Sequence, residues 1–495
     1  MTRLESLIYF LPETILTGTI LVLFLVDFFR SKTKPLSSAP FEGVSLLGLL
    51  GLVGAAFFLK NLPTAPFFFG MVSFDPMAVF LKILFGIATI SIVWFSINSK
   101  EMERIDPASY YILLLTLCLG MILLGTSNNL LMIYLSLEMV SIPSYILAGS
   151  LRGVRRSSEA ALKYVIYGGV SSGIMLYGFS ILYGLTGTLG LHEIFLFLSS
   201  HMVSSGTLFL AVLLALAGFA YKIAAFPFHM WAPDVYEGAP IPVAAFFSVG
   251  PKAAGFAVMI RFFLVALTSK GADGFGELQS AGWPMLITGL AIATMTFGNL
   301  AALFQTNLKR LLAYSSIAHA GYMLMGFAAL NQEAIQAVLA YLVVYFIMNL
   351  GAFLVVLIVY DRLGTENISG YAGLGRRGGE GTYLAVVMSI FLFSLTGIPP
   401  FAGFIGKLLL FGAVVKAEMI PLAVIGVLNA VVSLYYYVRI VKVMFFDEPT
   451  ETKPFQFENF SRPVLVSGLA FLTLLLGIYW NPLAELVQWA AVINF

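Results

Sequence analysis

One glutamate and several lysines stand inside long apolar runs. Glu138 follows Asn128-Asn-Leu-Leu-Met-Ile-Tyr-Leu-Ser-Leu. That places it about ten residues into its run, roughly 15 Å along a helix. Lys222 lies mid-way through the run from Leu208 to Phe228, just ahead of Pro227. Lys252 comes about twelve residues after Pro240, roughly 18 Å of helical rise. Lys407 stands about seven residues beyond Pro399-Pro400, at a depth like that of Lys222. A charge so placed costs about 2.5–3.5 kcal/mol on insertion scales, and such residues line pathways or pair with each other. Taking an amine out of water disfavours its charged form. An amine poised near neutrality gives and takes a proton at little cost, as a relay requires. The competing reading is a set of static ion pairs locking helices together, and the chain has fewer deep carboxylates than deep lysines to form them.

Other ionisable groups divide between roles. Lys163 sits one or two turns inside its run, so it is either the partner of Glu138, each tuning the other, or an anchor reaching to the interface. His319, in Ser315-Ser-Ile-Ala-His-Ala-Gly, is central to its run among small residues and is read equally as a relay group or a packing residue. His229 also falls within a run, whereas His192 and His201 lie in a loop. Lys309 and Arg310 read as charges at the membrane edge, with Lys309 a further candidate for proton uptake or release. Lys82 and Arg261, near run ends, read as snorkelled anchors.

The elements that must hold these groups follow from composition. Of 495 residues 60% are hydrophobic and 11% charged, against about 25% charged in soluble domains. Mean hydropathy is +0.95. These values exclude a water-soluble enzyme, and a net charge of +2 without a dense basic run excludes nucleic-acid binding. The single cysteine, Cys118, lies in an apolar run and can form neither an internal disulfide nor a metal cluster. No phosphate-binding loop, dinucleotide fingerprint or haem-attachment motif is present, so no cofactor is expected in this chain. The segment from Leu4 to Phe29 reads as a retained span, not a removed signal peptide.

The apolar runs predict an all-α polytopic membrane protein of about 14 helices. They fall near residues 7–28, 42–59, 76–96, 108–125, 129–149, 160–184, 206–231, 240–267, 283–303, 311–330, 334–359, 383–414, 420–446 and 463–480. Loops after odd-numbered spans hold Arg30, Lys32, Lys34, Lys100, Arg104, Arg152, Arg155, Arg156, Lys309, Arg310, Arg362, Arg376 and Arg377; the others hold little beyond Lys60, Lys270 and Lys416. The excess puts the odd loops in the cytoplasm and both termini on the opposite side. Two spans are broken by proline, at Lys222-Ile-Ala-Ala-Phe-Pro227 and at Gly397-Ile-Pro-Pro400. Broken helices at membrane depth survive only where protein or a wet cavity covers the freed backbone. A matched pair of them, one in each half, points to repeated halves around a transport path.

Several stretches carry a resemblance. Ser158-Glu-Ala-Ala-Leu-Lys163-Tyr, Lys222-Ile-Ala-Ala-Phe-Pro-Phe-His229-Met-Trp-Ala-Pro-Asp-Val-Tyr-Glu-Gly-Ala-Pro240, Gln305-Thr-Asn-Leu-Lys-Arg-Leu-Leu-Ala-Tyr-Ser-Ser-Ile-Ala-His319 and Gly397-Ile-Pro-Pro-Phe-Ala-Gly-Phe-Ile-Gly-Lys407 closely resemble the antiporter-like subunits of respiratory complex I. Gly426-Val-Leu-Asn-Ala-Val-Val-Ser-Leu-Tyr-Tyr-Tyr-Val-Arg is similar to the N-type member.

The resemblance, which runs from about Leu11 to Phe446, implies a proton-pumping membrane-arm subunit of a bacterial NADH-quinone oxidoreductase, a translocase in the inner membrane with periplasmic termini. It implies two inverted five-helix repeats, 108–267 and 283–446. An N-terminal group of helices, 1–107, precedes them, and a C-terminal loop and last helix, 447–495, follow. The family's glutamate falls on Glu138 and its lysines on Lys163, Lys222, Lys252 and Lys407; the sister subunit M resembles this pattern with a glutamate at the last position. FMN, iron–sulfur clusters and quinone are then expected in partner subunits, with subunits M, K, A, J and H as neighbours. A cation/proton antiporter subunit of the Mrp type is the alternative.

Overall fold

The computed structural model describes residues 3–29, 37–271, 274–279, 281–449, 454–457 and 461–492; Arg30, Lys32 and Lys34 lie outside them. The N-terminal segment comprises α1 (Arg3–Tyr9), α2 (Leu11–Phe29), α3 (Ala39–Leu59), a hairpin of β1 (Ala65–Phe67) with β2 (Val72–Phe74), and α4 (Pro76–Ser96). The single span expected from Leu4 to Phe29 is thus two helices. Pro12 is the cause: its ring would clash with the turn before it, whereas in the first turn of a new helix its missing N–H is no loss.

There follow α5 (Pro107–Thr126), α6 (Leu130–Ala148), α7 (Arg155–Thr186), the short α8 (Leu191–Ser200), α9 (Ser205–Ile223), α10 (Trp231–Gly238) and α11 (Ile241–Arg261). A second hairpin pairs β3 (Thr268–Gly271) with β4 (Gly274–Glu277). The rest is α12 (Trp283–Ala302), α13 (Leu308–Ala328), α14 (Gln332–Leu363), α15 (Gly379–Thr396), α16 (Ala402–Lys416), α17 (Ile420–Phe446), α18 (Ser461–Ile478) and α19 (Asn481–Ala490). Two compact units form, one of residues 1–224, 250–286 and 488–495, the other of 225–249 and 287–487.

Among the described residues thirteen helices are long and apolar enough to cross a membrane. They match the expected spans except the tenth. That one is α13, 21 residues long, whose Lys309, Arg310, Ser315, Ser316 and His319 lower its apolarity. Helix faces turned outward carry side chains such as Phe58, 88% exposed, which suits lipid and not water.

One local plan occurs in each unit. In the first, Asn129 caps α6 by accepting from Leu131 N (2.9 Å), and the backbone there pairs with the residues after α7 through Leu130 N to Leu189 O (2.8 Å). In the second, Asn307 caps α13 by accepting from Arg310 N (3.1 Å), and Leu308 N donates to Glu366 O (2.8 Å) after α14. Both α7 and α14 have 32 residues and end on a left-handed glycine, Gly187 (φ 70°) and Gly364 (φ 66°). A broken helix follows in each case. The breaks open a few residues ahead of the prolines, at Ala224 (φ 58°) and Gly397 (φ 90°). A left-handed residue ends each first half-helix, and residues before proline avoid helical geometry.

Backbone-to-backbone packing sets the helix pairs. A Cβ on Gly120 of α5 would come within 2.9 Å of the Met139 carbonyl carbon in α6, and one on Gly178 of α7 within 2.5 Å of Ala215 N in α9. In the second unit a Cβ on Gly321 of α13 would stand 2.5 Å from Met295 N in α12. Small residues let helices approach where lipid supplies no hydrophobic drive.

Candidate functional site

In the first unit Glu138, Ser141 and Tyr145 fall on one stripe of α6, spaced i, i+3, i+7. Lys222, in the last turn of α9 and buried, meets that stripe: its Nζ donates to Ser141 Oγ at 2.8 Å, and Ser141 donates to Leu137 O at 2.7 Å. Glu138 lies in electrostatic reach of Lys222. The carboxylate is half-buried, and its Oε1 has no hydrogen-bond partner among the described residues. Lys252 is buried in α11. One turn further along, Gly255 packs on the stem of Lys222, where an added Cβ would lie 3.2 Å from Lys222 Cγ. Lys163 makes an ion pair with Glu159 one turn back on α7, at 2.7 Å and with its side chain 37% exposed. The structure thus brings Glu138 and Lys222 together, with α11, the helix that carries Lys252, packed on Lys222 through Gly255, whereas the ion pair it gives Lys163 is local to α7.

Tyrosines complete the first cluster. Tyr221 Oη donates to Tyr164 O (3.1 Å), and the Tyr145 ring sits edge-on to Tyr164. All of this depends on Gly168 of α7, where a Cβ would stand 1.8 Å from Tyr145 Oη and 2.7 Å from Tyr221 Oη. Gly168→Ala must push both phenols off the Glu138–Lys222 cluster. Displacing groups by about 1 Å at a reacting site costs about tenfold to a hundredfold in rate, so the variant is expected to assemble normally and to slow whatever chemistry this cluster performs at least about tenfold. The activity of the membrane-embedded protein checks it.

In the second unit Lys407 is buried in α16 and turns back on the break. Its Nζ donates to Leu395 O (3.0 Å) and Thr396 O (2.7 Å), the last carbonyls of α15, and lies 4.7 Å above the Tyr322 ring. Those carbonyls are free because α15 stops there, and the negative end of its dipole favours a cation. Gly397 makes room, since a Cβ there would stand 2.8 Å from Lys407 Cδ. An open groove of about 260 Å³ reaches Lys407 between α16 and α17 past Thr396 and Phe404.

His319 is central to α13, and both ring nitrogens are engaged: Nδ1 with Tyr341 Oη at 2.7 Å and Nε2 with Tyr437 Oη at 3.3 Å. Tyr437 meets Ser315 Oγ at 2.5 Å. Beside it Tyr436 Oη donates to Asn299 Oδ1 (2.9 Å), and Asn299 Nδ2 donates to Tyr322 Oη (3.2 Å) and Asn429 Oδ1 (3.2 Å). Tyr322 is the ring under Lys407, and it also lies edge-on to His319 with ring centroids 5.8 Å apart. Hydroxyls and amides therefore occupy the space between His319 and Lys407. Sequence reasoning missed these residues. The signal available was the Tyr435-Tyr436-Tyr437 run, and, for Ser141, its i+3 spacing from Glu138.

Three basic residues differ from their expected roles. Lys82 and Arg261 are not snorkelled anchors. Lys82 is buried against Glu13 at 2.8 Å, and Arg261 holds Asp75 through both terminal nitrogens at 2.8 and 2.7 Å. Each sits in the protein interior where a carboxylate balances it, so neither reaches outward for water. Lys309 is buried as well, donating to Glu366 Oε1 (2.7 Å) and Ala239 O (2.8 Å). His229 lies in the first break, its ring stacked on Phe226 and edge-on to Phe297 at 4.5 Å, with neither nitrogen hydrogen-bonded among the described residues.

The basic groups of known partnership thus fall into two kinds. Lys82, Arg261 and Lys309 each hold a carboxylate. Lys222 and Lys407 hold only a hydroxyl or backbone carbonyls, with no carboxylate at ion-pair distance among the described residues. Among the described residues, no group of three or more His, Cys, Asp or Glu could hold a metal ion.

Residues 127–433 match the family described as NADH:quinone oxidoreductase/Mrp antiporter, transmembrane. The chain is 46% identical over 486 residues, 97% of its length and 93% of the relative's, to NADH-quinone oxidoreductase subunit N 2 of Chloroherpeton thalassium. It belongs to the subunit N family of NADH-quinone oxidoreductases. A chain of respiratory complex I from Thermus thermophilus, solved with bound aureothin, superposes with a TM-score of 0.78 at 30% identity, covering 96% of this chain and 98% of that one. A chain of the Mrp complex from Dietzia sp. shares the fold, with a TM-score of 0.83 at 20% identity over 99% of this chain and 97% of that one. Subunit N relatives place this chain in a multi-subunit enzyme and account for its membrane-spanning helices.

Proposed function

We propose that this chain carries protons across the membrane as a translocase subunit of NADH-quinone oxidoreductase. The observation that carries the reading is the contrast between its buried cations: some hold fixed carboxylates, whereas Lys222 and Lys407 rest on neutral acceptors they can exchange for water or a proton partner. A static spacer would pair them as it pairs Lys82 and Arg261. Protons from the cytoplasmic side load Lys222, tuned by Glu138 with Lys163 as its mobile counter-ion. They pass by Lys252 and His319 through hydroxyls and water to Lys407, and leave on the periplasmic side. His229 stands by as an accessory group in the first break. The charge excess of the odd-numbered loops supports this direction and periplasmic termini in a bacterial inner membrane. Spans four to eight and nine to thirteen form the inverted repeats 108–267 and 283–446, an odd number of crossings reversing the second copy.

Each charge moved against the potential costs about 2.3 kcal/mol per 100 mV. The drive therefore comes from quinone reduction in partner subunits, which hold the FMN and iron–sulfur clusters; subunits M, K, A, J and H are the proposed neighbours. Lys407→Met keeps the bulk of the side chain and removes its proton-carrying amine. In the assembled enzyme it is expected to retain assembly and lower protons translocated per electron through this chain by about a hundredfold. Vesicle acidification measured alongside quinone reduction tests it, and an unchanged ratio sinks the role of Lys407.

A further inference from the structure

Lys82 and Lys407 each lie over an aromatic ring, and the two cases differ. Lys82 Nζ stands 5.4 Å from the centre of the Phe74 ring, but Glu13 at 2.8 Å already balances its charge. Lys407 Nζ lies nearer its ring, 4.7 Å above the centre of Tyr322, and no carboxylate is at ion-pair distance among the described residues. The groove that reaches Lys407 is lined by apolar side chains such as Phe404, Leu408 and Phe411, together with Thr396, and brings nothing acidic to the amine. Among the described residues, its negative partners are therefore the Leu395 and Thr396 carbonyls and the face of a ring.

That ring is held at its far end. Tyr322 is fully buried on α13, and Asn299 of α12 donates from Nδ2 to its Oη at 3.2 Å. The same amide, itself fully buried, donates to Met295 O (2.9 Å) and Asn429 Oδ1 (3.2 Å) and accepts from Tyr436 Oη (2.9 Å). Asn429 is tied in turn to Thr296 Oγ1 (3.2 Å) and Ile425 O (3.0 Å). Helices α12, α13 and α17 thus meet on one amide whose oxygen and nitrogen are both engaged, which makes it a rigid anchor. Glycines set the approach. A Cβ on Gly298 would stand 2.6 Å from Ala318 N and one on Gly321 2.5 Å from Met295 N, so α12 and α13 touch backbone to backbone beside Asn299 and Tyr322. Phe411 of α16 closes the edge of the ring, with centroids 6.5 Å apart.

We propose that the face of Tyr322 seats the Lys407 ammonium in place of a carboxylate, and that Asn299 is the positioning residue that keeps the ring there. A buried carboxylate would hold the ammonium in a fixed pair that is costly to break. The face of a ring attracts the cation through its quadrupole, yet it has no lone pair on which to take the proton. The carbonyls that end α15 likewise accept a hydrogen bond and leave the proton on the amine. The seat steadies the charged form of Lys407 without capturing its proton. The inference rests on the proton-carrying role of Lys407 for its purpose, and the seat itself does not require that role.

The test replaces Tyr322, in the assembled enzyme, with phenylalanine and with mono-, di- and trifluorophenylalanine. These keep the shape of the ring while fluorine drains its face of negative potential. Each is made beside native Lys407 and beside Lys407→Met. Resistance of this chain to heating in detergent is expected to fall stepwise with fluorine where Lys407 is present and to stay level in Lys407→Met. Proton translocation should fall along the same series, by about tenfold from phenylalanine to the trifluoro ring. Equal slopes of stability with and without the amine overturn the seat. Asn299→Leu and Tyr322→Phe should each slow translocation about tenfold, and the two together no more than either alone, because each frees the same ring. Losses that simply add overturn the positioning role of Asn299. Normal translocation in Lys407→Met would instead overturn the relay and leave the stability slopes to decide the seat.

Discussion

Lys222→Ala is expected to abolish coupled proton translocation through this chain while leaving it folded and assembled. The reasoning is local. Lys222 contributes one hydrogen bond, to Ser141, which keeps its own bond to Leu137 O when the amine is gone. No carboxylate is orphaned in an ion pair, so the loss of structure is a truncated side chain in a packed site, about 2–4 kcal/mol at most. The loss of function is larger. A positioned proton carrier is worth about a hundredfold to ten-thousandfold, and nothing else described on α9 can replace it. Lys222→Arg separates the roles. The guanidinium stays protonated in proteins, so it preserves charge but cannot release a proton. A relay fails in both variants; a merely electrostatic role survives in the arginine variant. Vesicle acidification and quinone reduction in the same preparation distinguish them, and unimpaired pumping in Lys222→Ala removes the relay assignment.

Asp75→Ala should act on stability in the opposite proportion. Asp75 does two jobs: Oδ1 caps α4 by accepting from Ala78 N at 2.8 Å, and both oxygens take the Arg261 guanidinium. Arg261 Nε in turn donates to Gly125 O at 2.5 Å, so the end of α5 hangs on the same group. Deleting the carboxylate leaves a buried, uncompensated cation, costing about 3–5 kcal/mol, and removes a helix cap worth about 1 kcal/mol more. The amount of this chain retained in the assembled enzyme and its resistance to heating in detergent should both drop sharply. Asp75→Leu combined with Arg261→Met should recover most of the loss, because removing both charges avoids the unpaired one. A double variant as unstable as the two single losses added together would mean that the residues act independently, through the α4 cap and the Gly125 bond, and that a stranded cation is not the cost.

These two outcomes illustrate how far residue patterns could be read. That Lys222, Lys252 and Lys407 are buried was legible from their distance to the nearest loop, because depth in an apolar run follows from counting residues. Partnership was not. Lys82 and Arg261 looked like end-of-run anchors because Glu13 and Asp75 are far away in sequence, and only folding brings them within 3 Å. The helix breaks were equally legible in kind, from Pro227 and Pro399-Pro400, while their starting points were set by Ala224 and Gly397, whose left-handed backbone ends each half-helix early.

By itself, then, the amino-acid order determined a polytopic helical membrane protein, the runs that span, the two interruptions and the depth of its lysines. Each is a property of a continuous stretch: apolar length, proline and rise per residue. Tertiary structure alone decided which cations are balanced and which are not, that Ser141 of α6 receives Lys222, that tyrosines and asparagines fill the ground between His319 and Lys407, and that Lys309 closes on Glu366. Those depend on contacts between residues far apart in the chain, chosen by how glycine-lined helices fit together, and no local pattern encodes them.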